Sequence, residues 1–429
     1  MSSGTGQWQW LKNLPNATLL TVRRECAASI PLAVLLGVLN ASFCGFVGRK
    51  GLGMSDAMLA LVMASQMTGL LMAGMLVGFF HQVRKIRALS RILYIVSVVL
   101  LSIAFLPNSE SIRNFGVYVF LLQIFLAQVG IALMTTLRTS IWRANYPAAH
   151  RGKIIVLIYF LITLGHSLTV FAFTAAMDRW NFPFQMVYGI SGALGLLCGY
   201  LFSRVRIHRE RLLLRSQSVG LDNAKLLAGL SVLRNDKRFR QYMSWQMLNG
   251  FSTLIVETGI LVLIINDVFQ SGWLLGGSAL TGVQFMTAAV AGLLWARVYD
   301  RSDIFTMRFY GATGWALSRL ILVLGVYYHS MEVVIVSRAI SGVAMGAGRL
   351  NWRLGHMEFA PPEKDSLYMG AHVSLTGLRG MIAPFVGIYL FRLDFFGPNG
   401  IWLIALSGLG QAISGVGFLS MRTSHGNCK

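Results

Sequence analysis

Apolar residues in this chain come in long blocks parted by short polar intervals. The blocks fall near residues 29–48, 56–80, 92–107, 116–137, 154–177, 184–203, 241–265, 273–296, 309–328, 331–348, 369–391 and 399–421. A hydrocarbon layer ~30 Å thick takes roughly 20 residues of helix to cross. The blocks therefore predict twelve transmembrane helices and an all-α polytopic membrane protein. None alternates apolar and polar positions as a membrane barrel strand must. The third block is the shortest, and only "YYHSMEV" parts the ninth from the tenth.

The longest polar interval, residues 204–240, divides the blocks six and six. It is too short for a soluble domain, although its "NAKLLAGLSVL" has the spacing of a short amphipathic helix lying on the membrane surface. The expected organisation is an N-terminal segment 1–28, a six-helix bundle 29–203, the linker 204–240, a second bundle 241–421 and a tail 422–429. The halves echo each other. "RTSIWR" after the fourth block returns as "RLNWR" after the tenth, with Trp142 answered by Trp352, Pro147 by Pro361 and Arg151 by Lys364. Two pseudo-symmetric six-helix bundles related in this way are the plan of a parallel-repeat transporter.

Composition agrees with that class. The 429 residues are 55% hydrophobic and 12% charged, with a mean hydropathy of +0.62, where a soluble domain carries roughly a quarter charged residues. The net charge of +21 would point to nucleic acid in a soluble chain, but its placement explains it otherwise. With the N-terminus taken as cytoplasmic, inward segments hold 29 of the 37 Lys and Arg. Outward segments hold five, Arg49, Lys50, Arg113, Arg179 and Arg392, and the blocks themselves contain Arg319, Arg338 and Arg379. That asymmetry puts both termini in the cytoplasm and leaves no role for nucleic acid. The basic residues at the polar corners are expected to meet lipid phosphates and neighbouring loops. Trp8, Trp10 and Lys12 suit an interfacial segment. Four scattered cysteines make neither a disulfide framework nor a metal site. The sequence has no nucleophile elbow, Walker loop or HExxH, so neither an enzyme nor a cofactor is expected.

Two loops now take on a meaning. "ARVYDRSD" between the eighth and ninth blocks and "GFFHQVRKIR" between the second and third occupy the places of the G-x-x-x-D-R-x-G-R signature of the major facilitator superfamily. Asp300 and Arg301 match it; Ala296 stands for its glycine, and in the first half Gly78 matches while Gln82 replaces the aspartate. Over nearly its whole length the chain resembles transporters of that superfamily. Within it, the "RTSIWRANYP" corner, Arg23, Arg24 and Glu25 before the first block, and "LTGLRGMIAP" in the eleventh resemble a bacterial subgroup that includes magnetosome-associated permeases of the MamH type. The superfamily resemblance implies alternating-access movement of a small solute, with helices 1, 4, 7 and 10 lining the cavity. The subgroup resemblance implies a bacterial inner or magnetosome membrane and transport of some form of iron for magnetite biomineralisation.

Ionisable residues inside the blocks are costly in hydrocarbon and mark the candidate substrate or coupling site: His166, Glu257, Arg338 and Arg379. At ~1.5 Å per residue, Glu257 and Arg338 both lie ~10–12 Å below the outer surface, close enough in depth to pair. The pair reads equally as a coupling-proton site, an outer gate or a fixed structural bridge. His166 in "LITLGHS" aligns with Arg379 in "SLTGLRG", which predicts that both face one cavity; the alternative for each is a polar residue satisfied between packed helices. Arg319, in a helix the resemblance places outside the cavity, reads as structural. Asp300 and Arg301, with Arg349 or Arg353, are expected to latch the cytoplasmic end of the second half, and Arg138, Arg143 and Arg151 to shape the corner after helix 4. Two guanidiniums and one carboxylate suit an anionic solute, or an iron chelate, better than a bare cation; which residues would hold a metal stays unknown. The competing readings are a proton-coupled transporter of an organic anion or drug-like solute, and a membrane scaffold that transports nothing.

Overall fold

A computed structural model describes residues 14–76, 83–107, 113–207, 226–299, 301–361 and 365–426. Among them are eleven straight or gently interrupted helices long and apolar enough to cross a membrane, and one bent pair that makes a twelfth span. Span 1 is that pair, Asn16–Val38 and Ala41–Leu52; spans 2 to 6 are Asp56–Leu76, Lys85–Ile103, Arg113–Asn145, Ala148–Trp180 and Phe184–Ser203. Span 7 is Lys237–Val268, span 8 Trp273–Tyr299, span 9 Ile304–Tyr327, span 10 Met331–Leu354, span 11 Asp365–Phe391 and span 12 Ile401–Gly426. The first helix starts at Asn16 rather than at residue 29. Span 4 continues through the Arg138 and Arg143 block, so the corner shrinks to Tyr146 and Pro147. The linker contributes a helix, Leu226–Asn235, packed on span 11 with Val232 buried rather than lying free on a surface. Large apolar side chains such as Ile95, Leu122 and Val416 are 64%, 55% and 63% exposed on the flanks, the surface that lipid covers.

Each half packs its own six spans, and the halves meet where span 2 lies against span 11 and span 5 against span 8. Small residues allow the close approach. Leu71 and Met67 of span 2 lie against Gly377 and Gly380, and Thr174 and Phe171 of span 5 against Gly277 and Gly282. Ser167 donates from its hydroxyl to the Gly282 carbonyl at 2.6 Å.

Several spans are broken where the chain changes direction. Asn40 ends the first piece of span 1 in extended conformation, and its side chain accepts from the Ser42 and Phe43 amides, which bends the span by 48°. The Leu39 carbonyl freed there accepts from Gln128 of span 4 at 2.5 Å. Span 7 contains two π-helical turns, with Gly259 at φ 92° beside a non-helical Thr258. Span 8 has a third π turn at Ser278–Gly282. Such turns misalign backbone carbonyls and gather at functional sites.

The end of the bundle carrying the linker is the linker face, and the opposite end the far face. At the far face Phe46, Leu59 and Met63 of the first half share one apolar core with Ile255, Ile260, Ile264 and Ile388 of the second.

Candidate functional site

The far face is closed by charge as well as by apolar packing. Arg49, in the last turn of span 1, donates to Asp267 of span 7 at 2.8 and 3.2 Å and lies 3.3 Å from Asp56. Arg392, just past span 11, donates to Asp56 at 2.6 and 2.9 Å and to Asp267 at 3.1 Å. Two arginines and two aspartates thus form a ring with two of its sides crossing between the halves. The bonds to Asp56 raise the Arg392 pKa above its ordinary value. Beside the ring, Asp178 at the end of span 5 accepts from the Trp273 and Leu274 amides, both at 2.7 Å, and so caps span 8 of the other half. Lys50 donates to the Ser271 carbonyl at 2.5 Å, its ammonium over the Phe46 and Trp273 rings.

Below that seal the kink of span 7 presents Glu257. Arg338 holds its carboxylate with two bonds, 2.5 and 2.8 Å, so the residues placed at one depth by sequence are in contact. Arg338 also donates to the Ala279 and Leu280 carbonyls, at 2.9 and 3.2 Å. Both carbonyls lie within the π turn of span 8. Arg319, read from sequence as structural, does not stay at the periphery. It crosses from span 9 to donate to Glu257 at 2.8 Å, while its Nε and Nη1 have no hydrogen-bond partner among the described residues. Gln284 donates to the same carboxylate at 3.2 Å. Both arginines are 0% exposed and the Glu257 side chain 13%, so a buried cluster with one excess positive charge opens only at its carboxylate.

At mid-depth His166 stacks on Phe285 of span 8 with centroids 3.7 Å apart. Arg349 lies 5.1 Å from the Phe285 ring and donates to Thr163 of span 5 at 2.6 Å. Arg349, expected from sequence beside the Asp300 latch, therefore reaches across the halves. Arg379 does not share that setting. Its Nη1 donates to the Gln246 carbonyl of span 7, and its guanidinium occupies the space that a side chain at Gly250 would take. The two repeat-related residues, expected to face one cavity, turn to different neighbours: one to the other half, the other to its own.

The corner after span 4 is corrected as well. Arg138 is 4% exposed and meets no lipid. It donates to Glu25 at 2.7 Å, as do Trp142 at 2.5 Å and the Tyr146 hydroxyl, and its guanidinium lies over the Trp142 and Phe202 rings. Glu25 is the lone acid before Asp56, the one signal that pointed to its pairing. Arg151 donates to the Tyr146 and Arg143 carbonyls at 3.1 to 3.2 Å, which satisfies the end of span 4. Arg143 is exposed, as is Arg301, whose amide donates to the Val298 carbonyl at 3.1 Å. Asp300, Gly78, Gln82 and the Arg353 side chain lie outside the described residues.

The sequence matches no family model and no curated protein. Its structure is similar to that of a mutant of the nucleoside transporter NupG, with a TM-score of 0.73 at 13% identity over 94% of this chain and 99% of that one. It is similar to a D-xylose-proton symporter, TM-score 0.67 at 16% identity over 94% and 96%. A POT family transporter in complex with a thioalcohol-conjugated peptide gives 0.68 at 13% over 96% of each chain. The likeness spans both halves and assigns the fold, the twelve-helix fold of major facilitator transporters.

Proposed function

We propose that this chain is a secondary transporter that moves a small solute by alternating access, in the conformation closed at its far face. The observation that carries this is the unequal contact between the halves. The ion-pair ring, the Asp178 cap and a shared apolar core join them at the far face. Along span 11, Gly380 and Gly377 pack on span 2, whereas at Gly370, two turns on along the same face, an added Cβ would meet nothing among the described residues within 4 Å beyond its own helix. Contact of this kind at one end and space at the other is what rocking halves require.

In this reading the linker face, the 204–240 linker and both termini are cytoplasmic, which the excess of basic residues there supports; the membrane is a bacterial inner membrane, as the subgroup resemblance implies, and 29–203 and 241–421 are the rocking units. Glu257, Arg338, His166 and Arg379 are the groups through which solute or a coupling proton would act. The resemblance to magnetosome permeases makes an iron species the first solute to try. The described residues contain no group of three His, Cys, Asp or Glu able to grip a bare metal, so an anionic chelate suits this chain better than iron(II).

The test is uptake into proteoliposomes under an imposed proton gradient, comparing iron(II), iron(III)-citrate and citrate alone. Gradient-driven accumulation of any of them supports the reading. A scaffold would move none, nor any nucleoside, sugar or peptide tried in their place.

A further inference from the structure

Among the described residues, several buried polar atoms without hydrogen-bond partners gather between spans 7 and 11. His372, Thr376 and Arg379 recur at i, i+4 and i+7 on span 11, which lines them along one helix face. They are 0%, 5% and 7% exposed, and Gln246 of span 7, whose carbonyl receives Arg379, is 5% exposed. His372 Nδ1 and Nε2, Thr376 Oγ1, Arg379 Nε and Gln246 Oε1 make no hydrogen bond among the described residues. A buried polar atom left unmatched costs more than the bond itself contributes. Five of them around one contact between two spans mark a place that some other group completes.

The chemistry of that group follows from what it must satisfy. Arg379 presents a fixed cationic donor, Thr376 a hydroxyl and His372 one ring N–H, while the charges acting on His372 are those of Arg308, Arg379 and His356, and the charge acting on Arg379 is that of Arg308. All of those are cations or imidazoles. Trp352 of span 10 walls the site, its ring 5.3 Å from that of His372. One turn before Trp352, Gly348 has nothing within 4 Å among the described residues, so space lies beside this wall.

We propose that His372, Thr376, Arg379 and Gln246 form the recognition site for the oxyanion of the transported solute, a carboxylate or a phosphate. The oxyanion accepts from Arg379 Nε, Thr376 Oγ1 and the His372 ring, and a hydroxyl of the solute donates to Gln246 Oε1. Arg379 is oriented for this by its bond to the Gln246 carbonyl and by the space above Gly250. The inference deepens the transport reading and rests on it for the fate of the bound solute.

The experiment is equilibrium binding to the purified full-length protein in nanodiscs, with citrate and inorganic phosphate as probes and chloride as control. Saturable binding of citrate or phosphate is expected, weakened about tenfold or more by Arg379→Gln and by several-fold in the near-isosteric Thr376→Val, because a hydrogen bond to a charged group is lost in each. Arg379→Lys keeps charge but loses the Nε donor and should also weaken binding. Gly250→Ala, which pushes the guanidinium aside, should act like Arg379→Gln. If neither probe binds wild type even at millimolar concentration, or if Thr376→Val and Arg379→Lys, both monodisperse, bind as wild type does, the site is refuted. The two readings fail separately: uptake of a neutral solute with no anion binding overturns this site and leaves transport standing. Anion binding with no uptake of any solute overturns transport and leaves the site.

Discussion

Two guanidiniums share the Glu257 carboxylate, and they do so unequally. Arg338 makes two bonds to it and takes two backbone carbonyls besides, whereas Arg319 makes one bond and keeps two donors unmatched. Removing Arg338 breaks a bidentate buried pair and strands the Ala279 and Leu280 carbonyls, a loss of about 3–5 kcal/mol. Removing Arg319 loses one charge-assisted bond but also two orphan donors, each costing about 1–3 kcal/mol, so the terms offset. Arg338→Met should therefore lower the thermal unfolding midpoint sharply and Arg319→Met hardly at all. Equal losses in the two variants would show that Arg319 is matched by something beyond Glu257. Gly259 poses a separate residue-scale demand: at φ 92° any other side chain is strained, and Ile388 stands where its Cβ would go. Gly259→Ala should straighten or destabilise span 7 at its kink, read as a lower unfolding midpoint.

At the scale of elements, spans depend on the carboxylates that cap their first turns. Asp303 opens span 9 by accepting from the Thr306 amide at 2.9 Å and hydroxyl at 2.7 Å, and meets Arg422 of span 12 at 3.1 Å. Partial burial pushes its pKa up, but the Thr306 bonds and Arg422 outweigh that and hold it below the usual value. A depressed carboxyl stabilises the fold above the unfolded pKa of about 3.9 and ceases to as pH falls through its lower folded value. Asp303→Ala should thus cost about 1 kcal/mol at pH 6, and the gap from wild type should close below about pH 4. A gap that does not narrow at all as pH falls below about 4 would assign the effect to packing. Asp178 differs in that it caps a helix of the other half. Asp178→Ala leaves each half intact and weakens their contact, so spin-label distances across the far face should broaden toward open values while the unfolding midpoint changes little.

For the molecule as a whole, the ring of Arg49, Asp267, Arg392 and Asp56 sets which face is closed. Its side chains are 20–45% exposed, so each bond is modest, about 1 kcal/mol or less, and salt screens it. Two sides cross between halves, and Asp56→Asn with Asp267→Asn should shift the population toward far-face opening about tenfold if ~1.4 kcal/mol is lost. Maleimide labelling of a cysteine at Ser42, on the inner side of the ring, should then speed up from the far side; an unchanged rate would leave the apolar core around Phe46 as the seal. Orientation is tested in a Cys-free background. A cysteine at Arg179 should react with an impermeant label from outside and one at Arg234 should not, and the reverse result would invert the assignment of the cytoplasmic face.

The number of spans, the long polar interval between the sixth and seventh and the clustering of basic residues in alternate intervals are carried by the sequence because each is a matter of composition along the chain. Membrane solvent demands an apolar stretch of fixed length, so the pattern shows the span without any partner. The Glu257 and Arg338 contact was legible for a related reason, since rise per residue converts position in a span into depth. What depth does not carry is azimuth and bend. His166 and Arg379 align in the repeat yet face different helices, Arg319 reaches inward from a peripheral span, and Arg138 turns from the corner to Glu25, because those directions depend on how helices are rotated against one another. The π turns of spans 7 and 8, the bend at Asn40, and the gathering of His372, Thr376 and Gln246 around Arg379 exist only once spans pack. Close packing through glycine decides which face of each helix is buried, and a helical wheel with apolar residues all round does not announce that choice.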